Sequence, residues 1–478
     1  MIGVNTPAAE WLDATTRRRL GLRLQEALSR ARSSGAAVLA SVTGFSSRAG
    51  DPTAIVAASR RPGEPWFCLE QPDRDGSAVA ALGCLRALEA AGPRRFIEVD
   101  AQWRALVAAS LADACDGPAG SGLVALGGFA FAPDGGGSRS WEGFAPASLI
   151  VPELSLARRR GQTTLTINVD VAPDDTVEDL STRVQGRLGE LREDLLALLD
   201  PAPTGLYEVR SSMAPSHYEE AVAQAVRRIG AGELQKIVLA REVEVRSPVE
   251  HDPAAVIGLL REAFPSCFVF AVGRGDSTFV AASPELLIRR EGQRASTVAL
   301  AGSTRRSADP AVDDHLAEQL LHSDKDREEN AIVSRRIAKV LRPYAVWVAA
   351  APEPVVVRVA NIQHLAAPIR AQLAAPMGAI ELAGLLHPTP AVGGEPSVRA
   401  ATLIPALEGL DRGWYAGPVG WTDAGGDGEF CVALRSALLR GRVAHCYAGC
   451  GIVADSDPAA ELAESELKLG VMLPALAP

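Results

Sequence analysis

The stretch Leu234-Gln-Lys-Ile-Val-Leu-Ala-Arg241 alternates as an extended chain does, with Lys236, Val238 and Ala240 on one face and Ile237 and Leu239 on the other. Both faces read as buried, so a lysine stands where neither a strand nor a core selects one. Desolvation disfavours an ammonium and suits such a lysine to proton abstraction near neutral pH. The competing reading is an edge-strand lysine that discourages aggregation or snorkels to water. Further strands are expected at 122–131, 163–169, 268–273, 278–282, 285–290, 353–359, 429–439 and 442–448. Helical periodicity marks 16–32, 77–91, 177–199, 215–231, 311–342 and 458–470. This mixture lacks a regular βαβ rhythm and predicts an α+β protein. Asp200-Pro-Ala-Pro-Thr-Gly205 is the clearest break, and it divides 1–205 from 206–478.

Two predicted helices carry acids in unusual places. At 100° per residue, Asp326, Val333, Ile337 and Val340 all fall within about 80° of Glu329, with Ile332 flanking them, whereas Glu328, Arg335 and Lys339 lie opposite. Two carboxylates on an apolar face must be paired, protonated or metal-bound, unless that helix end is open to water. The last helix opens at Asp455-Ser-Asp-Pro458, a capping residue followed by proline. On it Glu461, Glu464 and Lys468 share an arc of about 60°. Like charges at this spacing cost a helix a few tenths of a kcal/mol. Alone the cluster reads as a solvated face; with Glu329 it forms an all-oxygen set suited to Mg2+. His445, Cys446 and Cys450 read as strand and turn packing rather than a zinc site.

Gly425-Gly-Asp-Gly428 is a turn leading into the strand that carries Arg435 on its Cys431/Ala433 face. An arginine among small residues offers a fork to a carboxylate or forms a structural ion pair. Ala448-Gly-Cys-Gly451 lets the backbone approach a ligand, and His387-Pro-Thr-Pro-Ala-Val-Gly-Gly394 either walls a pocket or reverses the chain.

Composition narrows the partners. The 478 residues, 47% of them hydrophobic, can bury a sizeable core, and a net charge of −10 argues against nucleic acid or an anionic membrane. An anionic substrate then needs a local basic site or a metal. Seven cysteines without a C-x-x-C suit reduced thiols. Residues 1–7 lack the basic-then-apolar order of a signal peptide, and no apolar run approaches the ~20 residues that span a bilayer, so a cytoplasmic location is expected.

The second half resembles the chorismate-utilising enzymes, and among them the isochorismate synthases. The strings that carry the resemblance are Leu234–Arg241, Ser283-Pro-Glu285, Ala299-Leu-Ala-Gly-Ser303, Ser323-Asp-Lys-Asp-Arg-Glu-Glu329, Asn361-Ile-Gln-His-Leu365, His387–Gly394, Arg412-Gly-Trp-Tyr-Ala-Gly-Pro-Val-Gly-Trp421, Gly426-Asp-Gly-Glu-Phe430, Ala448–Val453 and Ser456-Asp-Pro458. The first half matches more loosely, through Gly127–Phe131 and Trp141–Phe144. The resemblance implies the anthranilate synthase component I-like fold, two stacked β-sheets flanked by helices, with 1–205 its structural half and 206–478 its catalytic half. It implies an isomerase that, with Mg2+, adds water at C2 of chorismate and expels the C4 hydroxyl. Lys236 would be the base and Glu285 the acid. Glu329 and Glu464 would bind the metal directly, with Asp326 and Glu461 supporting them. Tyr415, Arg435, Gly449 and Lys468 match positions that hold the substrate's carboxylates, and Ser303 and His364 match pocket-lining positions. A monomer without a glutaminase subunit is implied too, serving menaquinone or siderophore biosynthesis.

Residues separate the neighbouring activities of this resemblance. One type of aminodeoxychorismate synthase carries a nucleophilic lysine where Ala301 stands, ammonia-using relatives lack the lysine at Lys236, and the Leu-Leu-Glu-Ser motif of anthranilate synthases is absent. Salicylate synthases keep the lysine and the glutamates and also eliminate pyruvate; His387-Pro-Thr-Pro390 favours the enzyme that stops at isochorismate. A chorismate binder without activity would need the cations but not the acid–base pair. Asn330 stands in place of a frequent histidine and Cys450 in place of an alanine.

Overall fold

The computed structural model describes residues 11–46, 48, 50–200, 203–359 and 362–477. The chain start at 1–7, Pro201 and Ala202 of the predicted break, and Asn361 lie outside the described residues. Strands gather into one sheet of thirteen and another of ten, stacked on each other. Among the described pairings all are antiparallel except Val38–Phe45 with Leu111–Ala112.

Phe270 and Phe279 from the first sheet, Phe129 and Phe430 from the second, and Trp141 between them belong to one continuous core. Helices Ala14–Ser34 and Pro253–Ala263 bury Leu24, Leu28, Ile257 and Leu260 in a second core, on the first sheet's outer face. Helices Arg95–Ala109, Asp324–Leu341 and Ala379–Leu386 pack on the second sheet. The layers are therefore helix, sheet, sheet, helix, as an α+β chain with strands apolar on both faces requires. Both halves of the sequence build both sheets: Phe268–Arg274 pairs with Trp66–Gln71, and Pro418–Asp423 with Val124–Phe129.

Four predicted elements differ from the structure. Residues 77–91 form two strands, Ser77–Leu82 and Arg86–Ala90, rather than a helix. The alanines of Ser77–Leu82 fit between two partner strands, Trp66–Gln71 and Leu154–Arg159, and tertiary pairing overrides their helical preference. The helix expected at 177–199 ends at Gly189. Gly186 and Gly189 weaken it, and Arg192 N donates to Ser59 Oγ at 2.8 Å instead of continuing the helix. The helix expected at 311–342 is two helices, Pro310–His322 and Asp324–Leu341, because the Ser323 side chain accepts from Asp326 N and starts a new one.

The fourth difference shapes the site. Residues 429–439 are not one strand: Gly428–Val432 belongs to the second sheet and Ser436–Arg440 to the first, with 433–435 crossing between them. Arg435 therefore lies on no strand face, and its φ of 50° is in the left-handed region that non-glycine residues rarely enter. A second crossover runs beside it. Ser277–Ser283 is in the first sheet and Leu286–Glu291 in the second, joined by Pro284 and Glu285.

Candidate active site

The strand Lys236–Arg246 is interior to the first sheet. Val443–Ile452 pairs along one side, and Glu208–Ser211 with Gly394–Glu395 along the other. Lys236 is 0% exposed, which removes the edge-strand and snorkelling readings. Its Nζ lies 2.9 Å from Glu329 Oε1.

Eleven of the twelve predicted site residues line one cavity, and Lys236 meets its wall through the ion pair with Glu329. The cavity opens where the two crossovers leave the first sheet, which brings Glu285 and Arg435 to it from unrelated parts of the chain. Burial pushes the Glu285 carboxyl up to about 8, against the pull of Lys236 and Arg435, so it carries its proton at neutral pH. A buried acid of this kind can donate a proton.

The opposite wall holds four carboxylates on two helices. Asp326 and Glu329 come from Asp324–Leu341, and Glu461 and Glu464 from Pro458–Leu469, whose start is fixed by Asp457 capping Ala460 N ahead of Pro458. Burial raises Asp326 and Glu461, and the neighbouring Glu329 and Glu464 charges add to this. Burial also opposes ionisation of Glu464, but Lys468 at 2.8 Å and the Ser303 hydroxyl at 2.7 Å outweigh it and hold that carboxyl down to about 2. Four carboxylates on one wall repel one another and offer only hard oxygen donors, a set that Mg2+ fits. Cys450 Sγ and carboxylate oxygens of Glu461 and Glu464 also lie within 4.8 Å of one another. His445 instead bonds Glu242 at 2.6 Å, and Cys446 is buried elsewhere in the strand.

Two cations join these acids at the cavity, Lys468 on the same helix as Glu464 and Arg435 on the crossover. Lys468 Nζ donates to Gly449 O at 2.9 Å, and Arg435 Nη2 reaches His364 Nε2 at 3.1 Å. Burial, with Arg435 and Lys468 nearby, pushes His364 down to about 3, so the neutral ring accepts from the guanidinium through Nε2. Arg435 is thereby aimed at the cavity with donors to spare. Tyr415, buried and with its hydroxyl pushed up to about 12 by burial, stays a neutral donor beside them.

The profile of the family described as chorismate binding enzyme matches residues 26–477. The chain belongs to this family. The salicylate biosynthesis isochorismate synthase of Pseudomonas aeruginosa is 36% identical over 426 residues, covering 89% of this chain and 88% of its own. The structure of MenF, the menaquinone-specific isochorismate synthase of Escherichia coli, superposes with a TM-score of 0.74 at 26% identity, covering 95% of this chain and all of that one. Anthranilate synthase component I of Streptococcus pneumoniae has the same fold, with a TM-score of 0.62 at 23% identity over 75% of this chain and 82% of its own.

In this chorismate-binding enzyme the loop His387–Gly394 does wall the cavity, through Ala391 and Val392. His387 itself is outside it: its Nε2 lies 3.0 Å from Phe131 O, and its ring packs on Phe96 and Phe131. Asn330 is outside it too, donating to Ala299 O and Leu365 O at 3.0 Å and tying the acidic helix to the sheet. Sequence reasoning missed Lys325, whose Nζ lies 3.2 Å from Glu461 Oε1, and Arg412, which lines the cavity. The first sits inside the acidic motif Ser323–Glu329, between Asp324 and Asp326, and gave no separate signal. Arg412 stands four residues after Glu408, a spacing that flags an ion pair.

Gly451 makes the Lys236 pair possible. It faces Val238 in the register, and a Cβ there would lie 2.2 Å from Glu329 Oε1 and 2.8 Å from Lys236 Cε. Gly451→Ala is therefore expected to displace the pair and lower turnover about 100-fold, the scale of a 1 Å misplacement. Steady-state kinetics on a variant with an unchanged circular dichroism spectrum checks this, and wild-type turnover would show that the pair tolerates the shift.

Proposed function

We propose that this chain is an isochorismate synthase, converting chorismate to isochorismate by water attack at C2 and loss of the C4 hydroxyl. The observation that carries the reading is an enclosed lysine, Lys236, set within electrostatic reach of an enclosed protonated acid, Glu285, at a cavity lined by Arg435 and Lys468. In this reading Lys236 takes the proton from water and Glu285 gives one to the departing hydroxyl, each contributing about 10²–10⁴-fold. Arg435, Lys468, Tyr415 and the Gly449 backbone hold the carboxylates of a dianion that an acidic protein would otherwise repel. Ser303 and His364 position Glu464 and Arg435. Glu329 and Glu464 would hold Mg2+, with Asp326 and Glu461 supporting; bound there, the ion neutralises the acidic wall and polarises the substrate's ring carboxylate. The names of the Pseudomonas and Escherichia relatives support the same activity.

Residues 206–478 supply every group in this scheme and 1–205 the scaffold that completes both sheets. Among the described residues no helix is long and apolar enough to cross a membrane. We place the enzyme in the cytoplasm, acting as a monomer without a glutaminase subunit.

Purified protein given chorismate and Mg2+ is expected to form isochorismate, resolved by liquid chromatography, and EDTA is expected to stop it. Unconsumed chorismate would leave only a binding protein. Salicylate and pyruvate as the main products would establish the salicylate synthase reading instead, a comparison that matters because His387 does not reach the cavity.

A further inference from the structure

Arg412 lines the cavity wall as one half of a buried ion pair with Glu408, to which the scheme above gives no role. Glu408 ends the helix Ser397–Glu408 and Arg412 follows four residues later; they are 4% and 3% exposed. Arg412 Nε donates to Glu408 Oε2 at 3.0 Å, and its Nη2 donates to Glu408 Oε1. Two of the three remaining guanidinium donors go to site backbone: Nη2 to Val238 O at 2.9 Å and Nη1 to Val392 O at 2.8 Å. Glu408 Oε1 accepts from Ala240 N at 2.7 Å. The guanidinium carbon lies 4.2 Å from the Phe131 ring centre and 5.8 Å from that of Tyr415.

The pair thus grips the lysine strand at two alternate residues, Val238 and Ala240, which share a face with Lys236. It also holds the cavity loop, and that loop returns to the same strand. Val238 N donates to Gly393 O at 2.7 Å, and Glu395 pairs with Lys236 in the register. Strand, loop and guanidinium form a closed ring of hydrogen bonds around the start of the strand. We infer that Arg412, locked by Glu408, is a positioning residue: it sets where the Lys236 strand and the Val392 loop stand relative to the cavity. The part of this inference that concerns turnover rests on the isochorismate synthase reading; the part that concerns backbone position does not.

A lysine cannot replace the fork. One ammonium on a flexible stem cannot satisfy Glu408, Val238 O and Val392 O in a single plane. Arg412→Lys keeps the buried charge paired, which lets the variant fold, and Glu408→Gln serves as a second variant if it does not. Hydrogen exchange read by mass spectrometry is expected to rise at least tenfold in peptides covering 236–241 and 391–395, with exchange elsewhere unchanged. With chorismate, well below the melting temperature, kcat is expected to fall about 10–100-fold while KM moves less than threefold. In a Lys236→Ala background the same change is expected to cost less than in wild type, since part of its effect acts through the lysine.

Unchanged exchange in both peptides would overturn the inference, whatever the enzyme does. Altered exchange with a wild-type kcat would overturn its catalytic consequence. Wild-type protein inert towards chorismate would instead sink the reading of the reaction, with the exchange result still deciding the positioning role.

Discussion

Lys236→Ala is expected to lower kcat by about 10²–10⁴-fold, the range for removing a positioned base, while chorismate binding in the presence of Mg2+ changes only a few-fold. The split follows from geometry. Lys236 reaches the cavity wall only through Glu329, whereas Arg435 and Lys468 line the cavity and carry the attraction for a dianion. The variant also strands Glu329 without its partner at 2.9 Å. Breaking a buried pair costs about 3–5 kcal/mol, and the lower end applies because the Glu329 side chain keeps 12% of its exposure. The loss is expected to shrink when Mg2+ is added, because a cation bound to Glu329 gives that carboxylate a partner again. Single-turnover kinetics, calorimetric binding and thermal melts with and without Mg2+ separate these effects. Full residual activity would remove Lys236 from the mechanism.

The second large effect belongs to Glu285. Glutamine keeps the shape of the protonated acid but has no proton to give, so Glu285→Gln is expected to cost a comparable 10²–10⁴-fold in kcat. The wild-type rate is expected to decline as pH rises past about 8, where the acid loses its proton, and the variant's residual rate to lack that limb. Stability has the opposite dependence from that of a salt-bridged carboxylate. The folded pKa of about 8 is raised above the usual 4.5, so between these values the folded chain holds a proton that the unfolded chain has released. Wild-type stability therefore falls from about pH 4.5 to 8 through this group, and the glutamine variant escapes that loss. Its melting temperature relative to wild type is expected to climb across the window. A flat difference would mean that Glu285 is not the buried neutral acid the geometry describes.

Much of the site was legible because side-chain chemistry conflicted with its surroundings. Lys236 stood in an apolar strand, Asp326 and Glu329 on an apolar helix stripe, and three charges shared one face of the last helix. Each conflict pointed to the cavity. Elements were legible where periodicity was undisputed, as at Pro215–Gly230, Phe268–Arg274 and Pro458–Leu469. Alanine-rich Ser77–Leu82 was not, since alanine's helical preference yields to a strand with partners on both sides.

The sequence by itself named candidates: a charge at odds with its periodicity marked Lys236, Asp326, Glu329 and the Glu461–Lys468 face, and the family resemblance added Glu285. Only the tertiary structure decided how they meet. Glu285 and Arg435 sit where strands leave one sheet for the other, which no local pattern announces because 429–439 reads as one strand. The Glu408–Arg412 pair is likewise set by contacts with Val238, Ala240 and Val392, from parts of the chain far apart in sequence. Burial, which raises Glu285 and neutralises His364, is a property of the packed sheets and not of any segment alone.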